Sequence, residues 1–187
     1  MNSQFQQALD KAILKDAHLL WHESIRVISV FDDVRYDRSD IDILGPGMRR
    51  HVSKFLIQLG CKARSGGRIV EPDSGLNFVL PKPSILAASP FDITRYHQRG
   101  ADDIYILTPT QTAAYYFQAM DFDLAIMAIA GLIQTQPVNL LKLLDTLEHH
   151  RERKCYEPVL HYLLACQKHA VKQGGMKFKR SLGAVFG

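Results

Sequence analysis

Two aspartates stand two positions apart in RYDRSDIDILG, residues 35 to 45: Asp40 and Asp42. Ile41, Ile43 and Leu44 around them read as a buried strand. Residues two apart on a strand point to the same side, so the two carboxylates project together. Like charges that close repel, and one takes a raised pKa unless a cation lies between them. Mg²⁺ or Mn²⁺ suits the position, because Mg²⁺ binds through one or two carboxylates together with phosphate oxygens. Such an ion neutralises charge in phosphoryl or nucleotidyl transfer and aligns the attacking hydroxyl. The competing reading is structural: Arg35, Arg38, Arg49 and Arg50 are close enough in sequence to pair with both acids.

The elements that must hold this pair can be traced from the pattern. Phe5, Ala8, Leu9, Ala12 and Ile13 recur at helical spacing and predict a helix over 5–20. IRVISVF (25–31) is β-branched and reads as a buried strand. A polar turn, DDVRYDRS, leads to a second strand over 40–44, closed by Gly45-Pro46-Gly47. Val52, Phe55, Leu56 and Leu59 share one helix face, and Gly60 ends that helix. RIVE and LNFVL flank the turn-forming Pro72-Asp73-Ser74-Gly75 and predict two short strands. A loop-like stretch over 86–103 precedes a brief strand, IYIL.

From Thr108 the character changes. Thr108 can cap a helix and Pro109 suits its first position. Helices are expected over 109–120, 122–134, 138–150 and about 156–173, with Pro137 and Pro158 each placed where a helix can begin. FDLAIMAIAGLI is apolar nearly all round, the pattern of a central helix or one that meets a partner. The expected architecture is α+β: a small mixed sheet with flanking helices over 1–107, an all-helical subdomain over 108–173, and a basic tail over 174–187.

Helix, buried strand, an Arg- and Ser-containing turn, SDIDIL, then an amphipathic helix ending in LG together resemble the nucleotidyltransferase fold of the DNA polymerase β superfamily. The nearest likeness is to the abortive-infection toxin branch. In that likeness LLWHESIRVISVF (19–31) stands where the branch has a Gly-Gly turn, and LIQLGCK (56–62) resembles its helix end. GLNFVL (75–80) occupies the strand of a third acid, and YILTPTQTAAYYFQAMD (105–121) the entry to its helical half. The resemblance implies a divalent metal on Asp40 and Asp42, a phosphate positioned by Ser39, and triphosphate charge offset by Arg35, Arg38 and Lys82 or Lys62. Asn77 then marks the third-acid position. It also implies an NTP donor, an RNA or protein hydroxyl as acceptor, and a toxin–antitoxin setting.

Departures from the branch pattern are specific. Trp21, His22, Glu23 and Ser24 replace the Gly-Gly turn that lets backbone approach a triphosphate. Asn77 is a neutral amide and cannot activate an attacking hydroxyl; Glu71 and Asp73 are the nearest acids that could substitute. Tyr115 and Tyr116 lie where the branch has a lysine. Pro72-Asp73 and Lys82 also faintly resemble the PD-(D/E)xK nucleases, but that core needs an acid two residues before the lysine and Leu80 is there.

Other chemistry is thinly represented. His149 and His150 adjoin on a helix and cannot face the same way, while His22 and His51 read as isolated surface histidines. No GxxxxGK[ST], GxGxxG, HExxH or GxSxG occurs, which argues against common ATPases, dinucleotide enzymes, zinc proteases and serine hydrolases. Three scattered cysteines, Cys61, Cys155 and Cys166, form neither a disulfide framework nor a zinc motif and fit reduced thiols in a cytoplasmic protein.

The chain has 187 residues, 47% of them hydrophobic and 22% charged, enough for a sizeable core. No apolar run approaches the ~20 residues of a membrane span, and the N-terminal stretch predicts neither a secretory signal nor a transit peptide. Residues 148–187 hold eight Lys/Arg against three Glu, leaving the remainder near −1 of the total +4. A basic end of this kind holds phosphate non-specifically or is simply solvated. Two functions therefore stand side by side: a metal-dependent nucleotidyltransferase, and a non-catalytic module that engages a protein or nucleic acid through the helical half and the tail.

Overall fold

The computed structural model describes residues 3–32, 44–80, 100–147 and 152–173. Their chain falls into two units, divided after Thr108. The expected α+β class holds: a six-stranded mixed sheet and six α-helices occur among the described residues.

The first unit begins with α1 (Ser3–Ile13), then β1 (Leu19–His22), β2 (Val27–Val30) and α2 (Pro46–Gln58). Three short strands follow, β3 (Lys62–Arg64), β4 (Arg68–Val70) and β5 (Asn77–Val79), and then β6 (Asp103–Leu107). The order across the sheet is β1-β2-β6-β5-β4-β3. β2, β6 and β5 are mutually parallel, with Val27 opposite Tyr105 and Tyr105 opposite Val79. The flanking pairs, β1 with β2, β3 with β4 and β4 with β5, are antiparallel.

The core of this unit follows from alternation. Ile28 and Val30, Ile104 and Ile106, Phe78 and Ile69 all point to one face, where Phe5, Leu9 and Ile13 of α1 and Val52 and Leu56 of α2 join them. Phe5 meets Phe78 with ring centroids 6.1 Å apart. Leu9, Ile28, Leu56 and Phe78 are wholly buried, each contributing about 1.5–3 kcal/mol of transfer free energy.

The predicted first helix is cut short. Asp16 accepts the His18 amide at 2.9 Å, turning the chain after Ile13. Leu19 and Trp21 then pack inward at the two-residue period of a strand, on the same cluster. Leu14, which a longer helix would have carried, is 85% exposed. α2 ends as expected, with Gly60 at φ +95°, a conformation glycine adopts without strain. β4 and β5 are the two strands expected about the Pro72–Gly75 turn, whereas β3 was not anticipated. Of the second strand expected over 40–44, residues 40–43 lie outside the described residues, and Leu44 is buried but not in a strand.

The second unit holds α3 (Pro109–Ala119), α4 (Phe122–Ile133), α5 (Leu140–Thr146) and α6 (Glu152–Gln173). Phe117 stacks on Phe122 at 5.5 Å and meets the edge of Tyr156 at 5.9 Å. The Tyr156 hydroxyl donates to the Leu140 carbonyl at 3.0 Å. The buried Gln167 accepts the Val138 amide at 2.8 Å, and Asn139 caps α5 by accepting the Lys142 amide at 3.0 Å. Pro158 does not open a helix: α6 starts at Glu152 and carries Pro158 inside it. Among the described residues no helix is long and apolar enough to cross a membrane.

Candidate functional site

Ligands of open α/β sheets sit beyond the carboxyl ends of the parallel strands. In β2 that end is Phe31 and Asp32, where the chain departs into the stretch containing Asp40 and Asp42. It returns at Leu44 and Gly45, and the Gly45 N–H donates to Asp32 Oδ2 at 2.8 Å. Gly45 is the N-cap of α2 and its carbonyl accepts the Arg49 amide at 3.0 Å. The Asp32 carboxylate therefore also lies against the positive end of the α2 dipole. Both ends of the acid-bearing stretch are tied through this one side chain.

Two histidines, His18 and His51, and a second carboxylate, Asp16, adjoin the clasp. His18 and Phe31 bond backbone to backbone, Phe31 N–H to His18 O at 2.9 Å. The His18 ring returns to the same residue, with Nδ1 at 3.1 Å from the Phe31 carbonyl. A carbonyl can only accept, so His18 carries its proton on Nδ1. Asp16 uses Oδ1 for the His18 amide and Oδ2 for His51 Nε2, the latter at 2.5 Å. The two imidazoles meet edge to face, centroids 6.0 Å apart.

His51 is thus oriented by a carboxylate of which 12% is exposed, while its own side chain remains 43% exposed. The carboxylate accepts from Nε2–H, which leaves the lone pair of the neutral ring on Nδ1. Among the described residues no hydrogen bond engages that nitrogen. An imidazole whose tautomer and rotation are fixed by a carboxylate, with its basic nitrogen open, is suited to accept a proton. His51 is therefore not the isolated surface histidine that the sequence suggests.

The site residues read from the sequence divide sharply. Arg35, Arg38, Ser39, Asp40, Asp42 and Lys82 lie outside the described residues. Asn77 opens β5 opposite Asp103 and donates its N–H to the Asp102 carbonyl at 2.9 Å. By register that row is level with residue 25 of the β2 side, seven positions short of Asp32, or roughly 23 Å at strand spacing. The structure does not bring Asn77 together with Asp32 or His51.

Glu71, a substitute acid by sequence, has its acceptor capacity taken up locally. Its carboxylate receives the Asp73 amide at 3.1 Å, the Ser74 amide at 2.6 Å and the Ser74 hydroxyl. Burial pushes its pKa up, but those three hydrogen bonds outweigh it and hold the group below the usual carboxylate value. Nearby Cys61 is pushed up to about 11 by burial and by the charge of Glu71. His22, on β1 opposite Val27, is lowered to about 4 by burial and so is neutral at physiological pH. Among the described residues no group of three or more His, Cys, Asp or Glu is placed to hold a metal ion.

No protein-family model, curated protein or solved structure matches this chain.

Proposed function

We propose that this protein is a nucleotidyltransferase-like enzyme that moves a nucleotidyl group from an NTP to a hydroxyl of an RNA or protein acceptor. What supports the reading is the clasp at the end of β2. The stretch bearing Asp40 and Asp42 leaves and returns through Asp32 and Gly45, 2.8 Å apart, next to the His51–Asp16 pair. Asp40 and Asp42 would hold Mg²⁺ or Mn²⁺, which offsets charge on the phosphates. Ser39 would position a phosphate, with Arg35, Arg38 and Lys82 balancing its charge.

His51 supplies what Asn77 lacks. As the acceptor oxygen bonds to the α-phosphorus, its proton passes to His51 Nδ1. The bond from that phosphorus to the bridging oxygen breaks, and pyrophosphate leaves. The test is transfer of label from an α-phosphate-labelled NTP, with Mg²⁺ or Mn²⁺, to RNA or protein. His51→Gln is expected to lower the rate by a factor of about 10²–10⁴, the usual weight of a general base, while NTP binding persists. Full activity in that variant contradicts the assignment.

A second reading has its own observation. On α4, Leu124 and Met127 are 55% and 70% exposed, on the side where Gly131 faces open space. A non-catalytic module that engages a cognate protein through this helical unit would present such a surface, and it would be indifferent to NTP.

A further inference from the structure

The hairpin of β3 and β4 carries three exposed cations on one face. Lys62 and Arg64 alternate along β3, and Arg64 stands directly opposite Arg68 of β4. Ile69, between Arg68 and Val70, points into the apolar cluster, so the cations occupy the other face. Like charges directly across an antiparallel pair are unfavourable. Among the described residues none of the three makes an ion pair or a side-chain hydrogen bond.

Protection of a sheet edge does not account for this arrangement. Charged residues on an edge strand discourage pairing with another chain, and β3 is an edge. β4, however, is paired on both sides, to β3 and to β5, so Arg68 protects no edge. The turn between the strands, Ser65-Gly66-Gly67, has φ of +80° and +78° at its two glycines. A Cβ placed on Gly66 would meet nothing within 4 Å, so the tip offers bare backbone as well as charge. It lies at the carboxyl end of β5, where the Leu80 amide donates to the Gly67 carbonyl at 3.2 Å.

We propose that this tip, Lys62, Arg64 and Arg68 around Gly66 and Gly67, binds the phosphodiester backbone of a nucleic-acid strand. The charges spread in two directions, along β3 and across to β4, and so match a line of phosphates better than one anion. Cations that repel one another and have no partner among the described residues gain counter-charge from the strand, and release of its condensed ions drives association. Glycines at the tip let the strand approach without a side chain intervening. Binding at this surface needs neither NTP nor metal, and it assigns Lys62, an alternative to Lys82 for the triphosphate by sequence, to a nucleic-acid backbone instead.

Fluorescence anisotropy of a labelled 20-nucleotide RNA of mixed sequence, without NTP or metal, tests this on the full chain. Replacing all three with Gln is expected to weaken binding on the order of tenfold or more and to flatten the log–log salt dependence by about 2 units. The single variant Arg64→Gln is expected to bind RNA less tightly while its melting temperature stays equal or rises, because the Arg64–Arg68 repulsion is relieved. A DNA strand of the same sequence is expected to bind alike, since the contacts read phosphate. The inference is overturned if the triple variant binds as tightly as the parent. It also falls if neutralising Lys177, Lys179 and Arg180 alone abolishes binding, if RNA and DNA differ strongly, or if the parent binds only anionic lipid vesicles.

Discussion

The Asp16 carboxylate holds His51 Nε2 at 2.5 Å across 35 residues of sequence. Asp16 closes the turn after α1, whereas His51 lies in the second turn of α2. Asp16 also accepts the His18 amide, so its position is set by backbone before it meets the imidazole.

Replacing Asp16 by Asn keeps the shape but adds an amide donor. The Asn oxygen can still accept from Nε2–H, yet a rotated amide offers N–H and favours the opposite tautomer, with Nδ1 protonated. Transfer activity is expected to fall by a factor of about 10²–10⁴, while the NTP-induced rise in melting temperature is retained. Equal activity in Asp16→Asn would show that the carboxylate only ties the turn to α2.

Asp32 is expected to matter for stability through its hydrogen bond to the Gly45 N–H. Asp32→Ala leaves the buried Gly45 N–H without its acceptor and removes a charge from the α2 N-terminus. The cost is about 1–2 kcal/mol, read as a lower urea midpoint at unchanged slope. Asp32→Asn keeps an acceptor oxygen and is expected to recover most of the loss. Equal losses in the two variants would contradict the hydrogen-bond account.

Thiol reactivity separates the cysteines. Cys61 is buried and its pKa is raised to about 11, first by burial and then by the charge of Glu71, whereas Cys155 is exposed. At pH 8 iodoacetamide is expected to modify Cys155 quickly and Cys61 only on unfolding. The raised value contributes stability that is full below the unfolded thiol pKa of about 8.5 and is lost as pH rises through about 11. Peptide mapping after timed alkylation checks this, and early labelling of Cys61 in the folded protein would contradict it.

Glu71 gives the opposite sign. Its folded pKa is depressed, so its contribution is present above the unfolded value of about 4.3 and disappears as pH falls through the folded value. As pH falls below about 4.3, unfolding free energy of the parent is expected to drop more steeply than in Glu71→Gln. Parallel acid profiles for the two proteins would contradict it.

What could be read from sequence was whatever is local. α2 announced itself through Val52 and Leu56 on one face and Gly60 at its end. The β4–turn–β5 unit was legible because Pro72 to Gly75 has turn chemistry and Glu71 closes it. β1 was not, since its LLWH can continue a helix as well as form a strand. Only the Asp16 turn and pairing to β2 decide the matter. β3 has no apolar alternation, with all three residues exposed, and exists by pairing with β4. Pro158 was read as a helix start because proline suits that position, yet α6 carries it inside. Asp40-x-Asp42 stood out by spacing alone and lies outside the described residues, whereas Asp16 and His51 share no motif and meet only through the tertiary fold.

Thermal melting with each of the four NTPs, with Mg²⁺ or Mn²⁺, on the parent and on Asp42→Ala tests the central claim most directly. One NTP at about 100 times its Kd is expected to add about 2.7 kcal/mol, a rise of about 5–10 °C for a chain of this size. Asp42→Ala is expected to fold and melt normally without ligand and to lose that rise. A flat response of the parent to all four nucleotides with either ion would contradict the nucleotidyltransferase reading.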